Sequence, residues 1–304
     1  MSDLRPPTKP RERFEADLLL LLTAVIWGTA FVAQRVAAVN SGVYLFNGLR
    51  FLLGALVLLP LILPNPKADI SAVDKKKPLL GILISGLLLF MAGTLQQLGL
   101  RFTTAGNAGF ITGLYVVLIP LILAMVRKQR QRPAIWIAAL LATGGLYLLS
   151  TNGQMRLSLG DALELVGALF FALHVIWIGQ QVQFIPILHL AIGQYLIISL
   201  LSLSMGLIFE LGATQNIALA WLPILYTGIF SIGIGYTLQA MGQRFAPPAD
   251  AAILLSMEAP FAALFGWLML SERLVPIQVL GCGLMLAAML LAQISPLKRA
   301  NRHE

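Results

Sequence analysis

Apolar residues run along this chain in long blocks separated by short polar joints. A helix needs about 20 mostly apolar residues to cross roughly 30 Å of hydrocarbon. That ruler predicts ten spanning helices, over 18–38, 44–63, 78–99, 105–126, 134–150, 161–182, 187–209, 220–241, 249–270 and 276–294. The fifth is the shortest, and Gly144-Gly145 is expected to interrupt it. The longest joint runs from Pro64 to Lys77 and carries three consecutive lysines, and no joint is long enough to hold a soluble domain.

The pattern repeats. Thr94 to Phe102 (TLQQLGLRF) recurs as Thr237 to Phe245 (TLQAMGQRF), identical at six of nine positions with an offset of 143. Asp17 matches Asp161, and Phe51 falls on Tyr195, at an offset of 144; Ala108 falls on Ala251 at 143. A nearly constant offset in register with the hydropathy divides the chain into a tail over 1–17, a five-helix repeat over 18–150, a second over 161–295 and a tail over 296–304. Five is odd, so the second repeat must enter the membrane inverted. Inverted repeats are a mark of secondary transporters, whose halves rock around a site near the bilayer midplane.

Composition agrees and narrows the classes. Hydrophobic residues make up 58% and charged residues 11%, against roughly 25% charged in a soluble domain. A soluble enzyme, a DNA-binding module and a disordered scaffold are improbable. The net charge of +8 comes from clusters between the apolar blocks, where the positive-inside rule explains them without a nucleic-acid partner. With the N-terminus inside, 16 of the 21 basic residues fall on the inner side; the others are Arg35, Arg50, Arg101, Arg156 and Arg273. Both termini are therefore expected in the cytoplasm, in a multi-pass protein of the cell inner membrane. The single cysteine, Cys282, lies in an apolar block and forms no intrachain disulfide. There is no obvious cleavable signal peptide in the charged N-terminal segment.

The segment Ile253 to Leu274 (ILLSMEAPFAALFGWLMLSERL), with Glu258, Pro260, Gly266 and Glu272, and the stretch Gly106 to Leu121 (GNAGFITGLYVVLIPL) resemble the EamA-like branch of the drug/metabolite transporter superfamily. The resemblance covers residues 18 to 295. It implies a ten-helix exporter of amino acids, metabolites or drugs and leaves the substrate open. The chain departs from the pattern after the fourth span, where Arg127-Lys-Gln-Arg130 stands in place of an acidic turn.

Six charged residues fall inside the spans: Arg35, Arg50, Asp161, Glu164, Asp250 and Glu258. Arg35, Asp161, Glu164 and Asp250 are read as helix-end groups that reach water or cap a helix. Arg50 either snorkels outward along its stem or lines the transport path. Glu258 lies mid-span, where a charge costs about 2.5–3.5 kcal/mol on insertion scales. It must meet a wet cavity, a cation, a proton, or a hydrogen-bonding neighbour. Its mate at an offset of 143 is Tyr115, and each helix carries a nearby proline, Pro120 and Pro260. Each proline leaves the carbonyl four residues earlier, of Val116 and Ser256, without its helical partner. Paired interruptions point to a midplane site as readily as to kinks for packing.

Gln96 and Gln239 are repeat mates, with Gln97 beside the first, and amides in lipid must find protein or cavity. Asn107, the mate of Asp250, joins them. Trp27, Phe171, His174 and Trp177 either line a pocket for an amphipathic substrate or pack the core. Gly109-xxx-Gly113 reads as a helix-packing spacing. No sequence motif for hydrolysis, phosphate binding or metal ligation is present. The reading is an all-α membrane transporter that uses no cofactor and no metal. It exports a small amphipathic metabolite, amino acid or drug across the inner membrane by alternating access, a proton is the candidate coupling ion, and a monomer suffices. Substrate binding or coupling is assigned to Glu258, Tyr115, Gln96, Gln239, Asn107, His174 and Trp27. The rival is an intramembrane enzyme acting on lipid head groups, which would need further polar groups at the depth of Glu258 and Tyr115. With Arg50 the one deep cation in the spans, phosphorylated cargo is disfavoured.

Overall fold

Helices form every regular element among the residues that the computed structural model describes: 10–62, 76–126, 128–129, 131–151, 158–210, 217–270 and 275–300. Arg5, Lys9, Lys67, Lys75, Arg127, Arg130, Arg156, Glu272, Arg273 and Arg302 lie outside them. The helices are α1 (Pro10–Asn40), α2 (Val43–Ile62), α3 (Lys76–Gly99), α4 (Ala105–Gly113), α5 (Tyr115–Met125), α6 (Pro133–Thr151), α7 (Leu159–Gln181) and α8 (Ile187–Phe209). They continue with α9 (Trp221–Tyr226), a π-helical stretch (Thr227–Tyr236), α10 (Thr237–Gln243), α11 (Pro248–Leu255), α12 (Glu258–Leu270) and α13 (Pro276–Ala300). Among the described residues, eight continuous stretches are long and apolar enough to cross a membrane. Residues Pro133–Gly145 of α6 and Val279–Ala288 of α13 form shorter apolar helices.

Several expectations change in detail. Residues 10–17, in the expected N-terminal tail, are helical, because α1 begins at Pro10. Gly144-Gly145 does not interrupt α6, which runs unbroken to Thr151. Gly145 instead admits the backbone of α13, with the Gly281 carbonyl and Met285 against it. The helices that carry Pro120 and Pro260 do break, whereas α2 runs unbroken through Pro60. α4 gives way to α5 at Leu114, and α11 to α12 at Ser256 and Met257. Around each break the backbone tightens to i→i−3 bonds, Val117 N–H to Leu114 O at 3.0 Å and Ala259 N–H to Ser256 O at 3.1 Å. The second of these supplies a partner for the carbonyl that Pro260 leaves open.

Packing follows the repeat. Counting the paired segments α4–α5, α9–α10 and α11–α12 as one helix each, first-half helices pack on second-half helices in a pattern that survives exchange of the halves. α2 packs on α8 and α6 on α13, each with its own mate; α1 meets α11–α12 as α7 meets α4–α5; α3 meets α7 as α9–α10 meets α1.

The polarity is that of a protein in lipid. Leu56, Leu61, Leu79, Leu200, Leu207 and Met269 lie exposed on outward helix faces, whereas Gln97, Glu164, Gln239 and Glu258 are buried. Contacts between helix ends sort into two layers. Arg13 on α1 and Arg132 before α6 both bond Asp250 at the start of α11, at 2.9 and 2.6 Å. At the other layer Thr103 donates to Asp161 at 2.7 Å, and Arg101 donates to the carbonyls of Ala38 and Ser41. Arg35 there donates to the Leu100 carbonyl. Glu210, at the end of α8, accepts from the backbone N–H groups of Tyr44 and Leu45 at the start of α2, where a helix N-terminus favours negative charge.

Candidate functional site

The breaks in α4–α5 and α11–α12 face each other across the centre of the molecule. There Tyr115, the first residue of α5, donates its hydroxyl to Glu258, the first residue of α12, at 2.9 Å. Both side chains are buried, at 2% exposure. The two are the residues that the sequence offset of 143 pairs. Around them lies a pocket walled by residues of both halves, including Trp27, Gln34, Arg50, Gln96, Thr112, Tyr115, His174, Ser231, Tyr236, Gln239 and Glu258.

Six of the seven residues singled out from sequence therefore come together: Glu258, Tyr115, Gln96, Gln239, His174 and Trp27. Asn107 does not join them. It sits half-buried in the first turn of α4, with its backbone N–H held by the capping hydroxyl of Thr104. Phe171 lines the pocket, whereas Trp177 turns away and donates to the Gly81 carbonyl at 3.0 Å. His174 is fixed by Gln194 at 2.8 Å.

Of the two readings of Arg50, the one that fits its position is the pocket-lining one. Arg50 is buried, and its guanidinium bonds Gln34 Oε1 at 2.6 Å and lies 4.9 Å from the Phe46 ring centre and 5.3 Å from that of Phe51. It forms no ion pair with a described acidic group, and its Nε has no partner. Snorkelling is excluded, because α3 and α8 flank the helix that carries it. The pocket thus holds a base and an acid, Arg50 and Glu258, neither balanced by an opposite charge of the protein among the described residues. An uncompensated buried charge is costly unless a ligand, water or a proton answers it.

Sequence reasoning passed over Tyr236. It is the hub of an aromatic cluster, with ring centres at 4.6 Å to Trp27, 6.0 Å to His174, 6.2 Å to Phe51 and 6.4 Å to Tyr195. It ends the π-helical stretch, whose wider turn leaves backbone carbonyls to side chains of α1: Trp27 Nε1 donates to Ser231 O at 3.2 Å and Thr23 to Gly235 O at 3.3 Å. π-Helical turns occur often at functional sites. Gly228, Gly233 and Gly235 were the available signal in the sequence.

Glu164 is also misplaced by the sequence reading. The helix-end task belongs to Ser158 and Asp161, which form a reciprocal capping box on α7. Glu164 lies a turn deeper, wholly buried, and accepts from Thr112 Oγ1 at 3.3 Å.

A sequence model of the EamA-like transporter family matches the chain twice, over residues 15–151 and 158–293. An uncharacterized transporter of Archaeoglobus fulgidus is 34% identical over 93% of this chain and 87% of its own. The threonine/homoserine exporter RhtA of Escherichia coli strain K12 is 29% identical over 89% of this chain and 88% of its own. A protein of known crystal structure superposes with a TM-score of 0.73 at 20% identity, covering 92% of this chain and 96% of that one, and shares the fold.

Proposed function

The chain belongs to the EamA-like transporter family, and we propose that it is a secondary exporter of small zwitterionic metabolites of the amino-acid class. In this reading it crosses the cell inner membrane ten times, as two inverted five-helix repeats with both termini in the cytoplasm, and works by alternating access. The observation that carries the substrate class is the pair of buried, unbalanced groups on one pocket wall: Arg50 suits a carboxylate, and Glu258 with Tyr115 suits an ammonium. Trp27, Phe171 and Tyr236 would receive an apolar or amphipathic side chain, while Gln96, Gln239 and His174 supply hydrogen bonds. The name of the similar Escherichia coli protein, a threonine/homoserine exporter, supports the class.

The ten-span topology has support in the exchange-invariant packing, in the twofold family match and in the contact of α1, α6 and α11 through Asp250. Those three helices are the first, fifth and ninth in the predicted order, and strict alternation starts all of them on the same side. Reporter fusions after Asn152 and after Glu304 are expected on opposite sides of the membrane, and matching sides would refute the inversion. The substrate reading is tested in proteoliposomes loaded with labelled threonine, with Arg50→Gln and Glu258→Gln beside the wild type. Efflux is expected from the wild type and not from either variant. Wild-type vesicles that retain threonine, homoserine and a panel of other α-amino acids would overturn it.

A further inference from the structure

α3 and α7 cross closely around Gly99. A Cβ built there would lie 2.8 Å from Glu164 Cγ and 2.9 Å from the Gly160 carbonyl oxygen. Glu164 therefore lies against Gly99 in a glycine-mediated seam. Oε2 accepts from Thr112 Oγ1 at 3.3 Å, and that hydroxyl accepts from Gln96 Nε2 at 3.1 Å. Oε1 is buried with no hydrogen-bond partner. Thr112 and Gln96 both stand on the pocket wall, so a polar chain runs from the pocket to a carboxyl sealed behind it.

Packing does not require an acid there. At the offsets of the repeat, Gly99 corresponds to Gly242, Gly160 to Ala16 and Glu164 to Leu20. The second seam has the same geometry: a Cβ on Gly242 would lie 2.7 Å from Leu20 Cγ and 3.0 Å from the Ala16 carbonyl oxygen. Thr112 corresponds to Leu255, also buried. One seam is thus built with leucines and the other with a glutamic acid and a threonine hydroxyl. The charged groups around Glu164 are engaged elsewhere. Asp161 caps α7, Arg101 and Arg35 bond backbone carbonyls, and Glu258 accepts from Tyr115. No described cation forms an ion pair with Glu164. A carboxylate sealed inside the protein without a cation is far costlier than the neutral acid.

We infer that Glu164 is a proton-binding site distinct from the substrate-facing Glu258, reached from the pocket through Gln96 and Thr112. The proton sits on the carboxyl while α7 is closed on α3. It leaves to water when the seam loosens and the pocket hydrates the chain, so its release is tied to the movement of the halves. The proton site stands on geometry, and its link to transport rests on the proposed exporter function.

Two measurements test it. Infrared spectra of the purified protein at neutral pH are expected to show a protonated-carboxyl C=O stretch that disappears in Glu164→Gln and survives in Glu258→Gln; a spectrum unchanged by Glu164→Gln overturns the proposal. In proteoliposomes, Glu164→Gln and Glu164→Leu are expected to keep wild-type exchange of labelled threonine for unlabelled. They should lose accumulation driven by a pH gradient. Gradient-driven accumulation that survives in both variants overturns the proposal, as does failure of both to fold, which would make the acid a packing group. If wild-type protein moves no amino acid, the substrate reading falls and the infrared result alone decides.

Discussion

The seam around Gly99 and the seam around Gly242 are built from matching residues of the two repeats, yet only one contains polar chemistry. In the second, Leu20 fills the space against Gly242 and Leu255 takes the place of Thr112, while the amide Nε2 of Gln239 has no partner. In the first, Glu164, Thr112 and Gln96 form a connected chain. The same backbone geometry thus accepts either solution. At Leu20 and Leu255 the leucine version has no polar group to satisfy, so the acid and the hydroxyl at the matching positions carry a cost that packing does not explain. The central pair differs in the same way, with Tyr115 in one half and Glu258 in the other, but there the two mates bond each other.

The strongest way to break the comparison is to fill both seams. Gly99→Leu and Gly242→Leu would each drive a side chain into an opposing helix, and added methylenes in a tight core typically cost about 1–3 kcal/mol. Four added carbons should exceed that, so both variants are expected to lose monodisperse protein in detergent to a similar degree. Normal yield from either would show that its seam is loose. Next comes the separation of the two acids. Glu258→Gln is expected to express normally and to lose both exchange and gradient-driven transport of threonine, whereas Glu164→Gln loses only the second; identical behaviour would merge their roles.

A smaller effect should come from placing an acid in the apolar seam. Leu20→Glu buries a carboxyl against Gly242, where a leucine now packs, and a buried unsatisfied polar group costs about 1–3 kcal/mol. The midpoint of thermal unfolding should fall, and an unchanged midpoint would mean that water already enters this seam. The smallest effect is expected from copying the apolar solution into the polar seam. The double variant Glu164→Leu with Thr112→Leu removes that hydrogen-bonded pair together, which is often nearly neutral. It leaves the Gln96 amide on the pocket wall without its Thr112 acceptor, as the Gln239 amide already stands in the other half. Its unfolding midpoint should stay close to that of the wild type; a large drop would show that the seams are not interchangeable.

Much of this was legible because a membrane simplifies the code. Hydrocarbon thickness fixes helix length, so the predicted 187–209 coincides with α8 and 161–182 lies within two residues of α7 at each end. The repeat offset linked Tyr115 with Glu258 before any contact was known. Pro120 and Pro260 marked helices that do break. Position along a helix says less about depth or direction. Glu164 and Asp161 are three residues apart near the start of α7, yet one is sealed in a helix crossing and the other caps the helix end. Asn107 looked like Gln96 in composition but remained in the first turn of α4. The glycine pair in α6 read as an interruption because a glycine's partner across the interface cannot be seen from its own helix.

The sequence by itself determined the apolar helices, their grouping into two related sets and the family, because each follows from local hydropathy or from matching residues along the chain. Only the tertiary structure decided which polar groups share a space. Arg50 became a buried base facing the pocket because α3 and α8 close over its helix, and Glu164 became a sealed acid because Gly99 lets α3 touch α7. Those outcomes depend on the angle and depth at which two distant helices cross. That geometry is set by side chains far apart in the chain, and no single segment encodes it.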